Sequence, residues 1–76
     1  MYRGMDCLQA GEKGRVWALE LRGAMRRRLQ DMGLVEGTEV ECVLKSPAGD
    51  PTAYGVRGAL IALRAEDARQ VLVTKI

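Results

Sequence analysis

The sequence predicts a mostly β domain: a small barrel of about five short strands, one α-helix over about residues 24–32 and a short helical turn near 65–69. Three observations carry that expectation. Short runs alternate apolar with polar residues, glycine-containing turns separate the runs, and only Met25 to Met32 has helical periodicity. A barrel suits such strands because closure removes exposed sheet edges. At 76 residues there is room for one domain, 1–76. Phe is absent, so the core must be aliphatic.

The first seven residues carry no element signal and read as loosely ordered. After the turn Gly11-Glu12-Lys13-Gly14, residues Arg15 to Leu21 form an apolar-centred strand. Met25, Leu29 and Met32 then recur at i, i+4 and i+7, which puts them on one helical face. Gly33 follows where a left-handed residue ends a helix, and Leu34 follows where such a cap packs an apolar side chain against Leu29. Thr38 to Ser46 alternates, with Val40, Cys42 and Leu44 on one face and Glu39, Glu41 and Lys45 on the other. Pro47 to Pro51 is a loop by its turn chemistry. Tyr54–Arg57, Ala59–Leu63 and Val71–Lys75 supply the remaining strands. Leu29, Met32, Val40, Leu44 and Ile61 are the expected core.

Charge is the next constraint. The chain carries a formal +2, too little to imply a nucleic-acid partner by itself. Its surplus is local. Residues 1–38 hold seven Lys or Arg against five Asp or Glu, whereas residues 39–76 hold five of each. Arg26, Arg27 and Arg28 concentrate that surplus on the helix. Arg27 lies opposite the apolar face and is spaced to pair with Asp31 at i, i+4. Arg28 borders the apolar stripe, so its stem packs while its guanidinium stays reachable.

Chemistry is scarce. His is absent, which removes the commonest general base and transition-metal ligand. Neither a Cys-x-x-Cys pair nor a phosphate-cradling glycine loop occurs. Asp50, Glu66 and Asp67 are oxygen donors without an imidazole beside them, so no metal site is expected. Neither catalysis nor a cofactor is expected. Cys7 and Cys42 read as free thiols of a reducing, cytoplasmic setting, with Cys42 a small buried hydrophobe. The longest purely apolar run, Ala59 to Leu63, cannot span a membrane. Tyr2, Trp17 and Tyr54 are scattered along the chain. They offer no aromatic wall for a proline-rich peptide and little for base stacking.

Several pieces then occur in a telling order: Leu8-Gln9-Ala10-Gly11-Glu12-Lys13-Gly14-Arg15-Val16, Arg28-Leu29-Gln30-Asp31-Met32-Gly33-Leu34, Glu36-Gly37-Thr38, Pro47-Ala48-Gly49-Asp50-Pro51, Val56-Arg57-Gly58 with Ile61-Ala62-Leu63-Arg64, and Glu66-Asp67-Ala68 before Val71-Leu72-Val73. Each is common, but their joint spacing resembles the ferrous iron transport protein A (FeoA) family over nearly the whole chain. The resemblance implies an SH3-like barrel and a non-enzymatic accessory role in ferrous iron uptake. It implies a cytoplasmic partner of the membrane transporter FeoB, whose cytosolic GTPase cycle or gating it would modulate. Association with the membrane would then run through that partner. The expected contact residues are Arg26, Arg27 and Arg28, with Asp50 at the tip of the Pro47–Pro51 loop and Arg57 at the end of the Tyr54–Arg57 strand. The alternative is a stand-alone SH3-like module binding nucleic acid, or another regulatory protein, through the basic helix. Self-association is left open by the residues.

Overall fold

Backbone pairing gathers the short runs into one antiparallel sheet. The computed structural model describes residues 1–76. In chain order it holds β1 (Arg3–Gly4), a 3₁₀ turn (Met5–Cys7), β2 (Lys13–Leu19), α1 (Gly23–Asp31), β3 (Glu39–Lys45), β4 (Thr52–Val56), β5 (Ala59–Leu63), α2 (Ala65–Ala68) and β6 (Val71–Lys75). The strand order is β1-β6-β2-β3-β4-β5. The mostly β, SH3-like architecture is as expected, with six strands where about five were predicted. No ladder joins β5 to β1, so the sheet keeps two edges rather than closing through hydrogen bonds.

The core is one cluster of buried aliphatic residues with Tyr54 among them, and Met25, Met32 and Ile61 pack against it half-buried. The N-terminus departs from expectation. Arg3 and Gly4 pair with Val73 and Leu72, and Met5 is completely buried. Anchoring one large apolar side chain holds the segment that the local pattern left free.

A second departure lies in β3. Val40 and Cys42 face the core, but Leu44 is 63% exposed. The β3–β4 register slips between Cys42↔Tyr54 and Leu44↔Ala53. One extra residue, Val43, is thus accommodated as a bulge, and every side chain beyond it changes face. Lys45 turns to the partly buried side and its ammonium donates to the Asp6 carbonyl at 3.4 Å.

Helix α1 ends as its glycine predicts. Gly33 (φ 103°) donates to the Gln30 carbonyl at 3.0 Å and Leu34 to the Leu29 carbonyl at 2.9 Å. This is the paired bonding of a Schellman cap, and Leu29 and Leu34 are both fully buried against the core. A Cβ on Gly33 would lie 2.8 Å from Cδ of Arg57. Gly33→Ala is therefore expected to destabilise by about 1–3 kcal/mol, mostly through backbone strain. Thermal unfolding of Gly33→Ala beside Gly33→Ala/Arg57→Ala checks this. Removing the arginine stem relieves the clash but not the strain, so the double variant should regain only a minor part of the loss.

Candidate functional site

Three consecutive arginines leave α1 in three directions. Arg26 turns back toward the sheet, donating to the Leu19 carbonyl and, at 3.5 Å, to that of Leu21. Leu19 is the last residue of β2, paired with Val71, and Leu21 lies just beyond the strand. Arg26 thus fastens α1 to the sheet and is only half-exposed. Arg27 and Arg28 are exposed. The expected Arg27–Asp31 ion pair is not formed. The two ion pairs of the molecule are Lys13–Glu39 and Lys75–Glu12, so both guanidiniums of this face lack a carboxylate partner. An exposed helical i, i+4 pair gains only a few tenths of a kcal/mol, too little to hold the long arginine side chain in one geometry.

The other two predicted contact residues part company. Arg57 occupies the two-residue turn Arg57-Gly58 between β4 and β5, and both residues have positive φ, 52° and 85°. That backbone matches the twist of a tight hairpin, at some cost for a non-glycine residue. Its stem lies against Gly33, beside the C-terminal end of α1, where the helix dipole favours a cation. Asp50 is committed elsewhere. Its Oδ1 accepts from the Ala65 amide at 2.9 Å, satisfying the first turn of α2. The carboxylate expected at a loop tip is a half-buried brace between that loop and α2.

Two features were not visible in the sequence. The first is a groove of about 310 Å³ between α1 and β5. Met25, Leu29 and Met32 line one side, Leu60 to Leu63 the other, and Arg28, Arg64 and Asp67 border it. The second is an aromatic pair. Tyr2 and Trp17 stack with ring centroids 4.1 Å apart and planes 9° from parallel, and both are about half exposed. Two of the three aromatics therefore meet, since Tyr2 lies just before β1, which only β6 separates from β2. The two rings close on each other, which leaves no slot between them for a proline ring. Tyr54 is 1% exposed and belongs to the core.

Of the cysteines, Cys42 is buried and Cys7 exposed, both as free thiols. Burial pushes the Cys42 thiol above its ordinary pKa, which makes it unreactive. No three His, Cys, Asp or Glu side chains converge. No helix is long and apolar enough to cross a membrane. The arrangement offers two unpaired arginines on a helix, a third beside its end and an apolar groove between them, which is equipment for contact.

Comparison with known proteins agrees with this architecture. An FeoA protein from Chlorobium tepidum, solved in solution, superposes with a TM-score of 0.91 at 32% identity, over 96% of this chain and 70% of that one. A Stenotrophomonas maltophilia FeoA complexed with zinc and described as a prokaryotic SH3 domain protein gives 0.82 at 32% identity, over 93% of this chain and 88% of that one. A Porphyromonas gingivalis fusion of Fe(2+) transport protein A with the Fe(2+) transporter FeoB is 33% identical over 69 residues. Those residues are 91% of this chain but 8% of the fusion protein. The FeoA domain model matches residues 5–75, nearly every element from the 3₁₀ turn to β6. With the domain model matched over residues 5–75 and the fold superposing on solved FeoA proteins, this chain belongs to the FeoA domain family.

Proposed function

We propose that this chain is an accessory protein of ferrous iron uptake that docks on the cytosolic GTPase region of FeoB and modulates its cycle. The observation that carries the reading is the Porphyromonas gingivalis chain in which the two proteins are covalently joined. Fusion holds two modules at a high effective concentration, which is useful when they work in contact. The docking face is the outward side of α1. Arg27 and Arg28 stand there exposed and without carboxylate partners. Arginine suits such a face because its planar fork binds carboxylates bidentately. The chain's cytoplasmic place and its peripheral relation to the membrane follow from that partner.

The test is binding of the purified chain to the isolated cytosolic region of FeoB at physiological salt, with GTP hydrolysis measured alongside. Arg27→Glu/Arg28→Glu is the informative variant, with Arg26 left intact because it holds the helix to the sheet. Charge reversal against an acidic surface is expected to weaken binding by about tenfold or more and to abolish any effect on hydrolysis. Unchanged binding by a variant of unchanged thermal stability would remove α1 as the docking face. If the wild-type chain does not bind, the accessory reading itself falls.

A further inference from the structure

Strand β5 ends the sheet, and no element pairs with its outer side. The pairing register says which backbone groups are left over. Val56↔Ala59 closes the two-residue turn, so the hydrogen-bonded pairs of this ladder are Val56↔Ala59, Tyr54↔Ile61 and Thr52↔Leu63. Leu60 and Ala62 lie between them in non-bonded pairs. Their N–H and C=O groups therefore point outward, away from β4. A hydrogen-bonding edge two residues deep is open to solvent.

That edge lacks the usual protections. It has no Pro, no Lys, no bulge and no charge within Ala59 to Leu63, and Leu60 is 67% exposed. The apolar groove follows it. All four consecutive residues Leu60 to Leu63 line the groove, although neighbours in a strand point to opposite faces. Since β5 is the last strand of the sheet and Leu60 and Ala62 are exposed, contact with all four residues sets the groove against the open border of the strand. Helix α1 forms its far wall with Met25, Leu29 and Met32.

The surrounding charge selects the occupant. Arg28 and Arg64 border the groove and Arg57 stands at the hairpin end of β5, against the single acid Asp67. None of the three arginines is in an ion pair. A second copy of this chain fits poorly. Antiparallel β5–β5 pairing would set Arg57 of one copy near Arg64 of the other, and parallel pairing would set each arginine beside itself. Like charges across strands repel.

We infer that the outer edge of β5 takes an extended peptide segment as an added strand, its alternate apolar side chains entering the α1–β5 groove and its acidic flanks meeting Arg28, Arg57 and Arg64. In this mode main-chain hydrogen bonds supply affinity and the groove supplies specificity. The surface shares Arg28 with the proposed FeoB-docking face but not Arg27, and it stands whether or not FeoB is the partner.

The probe is an acetylated, amidated nine-residue peptide of alternating Val and Thr with two acidic residues at each end, titrated into the ¹⁵N-labelled chain. The Leu60 and Ala62 amides should exchange rapidly in the free protein and become protected on binding. A lysine-flanked peptide should bind about tenfold or more weakly. A peptide N-methylated on the edge-facing residues should not bind, since it lacks the ladder donors. Leu60→Glu should weaken binding, by removing an apolar contact and repelling the acidic flanks, while leaving thermal stability unchanged, because the side chain is exposed. No binding by the acidic peptide overturns the inference. So does equal binding by the N-methylated peptide, protection away from β5, or concentration-dependent dimerisation through β5 without peptide. Arg27→Glu alone, which leaves the groove untouched, should keep amide protection by the peptide even where FeoB binding is lost, which separates this inference from docking on α1.

Discussion

Leu29→Ala is expected to lose about 2–5 kcal/mol of folding stability, whereas Leu44→Ala should stay within about 0.5 kcal/mol of the parent. Both residues read alike in the sequence, as apolar members of an amphipathic element. In the fold Leu29 is 0% exposed and Leu44 is 63% exposed. Truncating Leu29 removes its transfer energy and leaves a void between α1 and the sheet, which close packing cannot readily fill. A domain of this size has a total stability of about 4–11 kcal/mol, from about 0.05–0.15 kcal/mol per residue. Leu29→Ala thus removes a large share of it. Each kcal/mol shifts the melting temperature of so small a domain by about 4–8 °C. Thermal or urea unfolding of the two variants side by side checks the pair. Equal effects would sink the assignment of α1 as the lid of the core and of Leu44 as a surface residue.

The contrast shows which parts of the fold local sequence carries. Helix α1 and its cap were legible because both depend on residues close in sequence: a 3.6-residue apolar period and a glycine placed to take positive φ. The break between β4 and β5 was legible at Gly58, between two apolar runs, but Arg57 reads there as a strand residue and belongs to the turn. Leu44 was misread because a bulge is a relation between two strands. Nothing in Thr38 to Ser46 shows that its partner slips by one residue. The N-terminus was missed for the same reason. The 3₁₀ turn that carries Met5 packs beside α2 and β6, which the chain contributes about 60 to 70 residues later.

The candidate site divides along the same line. Helical spacing gave the exposed Arg27 and the groove-bordering Arg28. It could not show that Arg26 is used by the Leu19 and Leu21 carbonyls, because that depends on where β2 ends. The Pro47 to Pro51 turn was evident, but the use of Asp50 on α2 required a contact across 15 positions. The open edge of β5 is a property of strand order alone. A sequence of short apolar runs suggests closure, and only topology shows which edge remains.

Alkaline pH should destabilise the fold through one buried phenol. Tyr54 is 1% exposed, at register with Cys42, and its hydroxyl donates to the Met5 carbonyl at 3.4 Å. Burial, reinforced by Cys42 beside it, pushes its pKa up from 10.0 to about 12. An unfolded tyrosine would ionise near 10, while the folded one holds its proton until about 12. The stabilisation is therefore complete below pH 10 and is lost as pH rises through 12. Two pKa units correspond to on the order of 2–3 kcal/mol. The raised Cys42 thiol acts in the same direction and begins the decline nearer pH 9. Tyr54→Phe separates the two. At neutral pH it should be less stable than the parent by about 0.5–1.5 kcal/mol, having lost the bond to Met5. Above pH 11 the order should reverse, because phenylalanine has no proton to lose. Other groups that titrate in this range do so in both proteins, so the difference between their unfolding curves isolates Tyr54. Parallel curves from pH 7 to 12 would mean that the phenol reaches water in the folded state, and the buried corner formed by Met5, Cys42 and Tyr54 would have to be opened in any account of this fold.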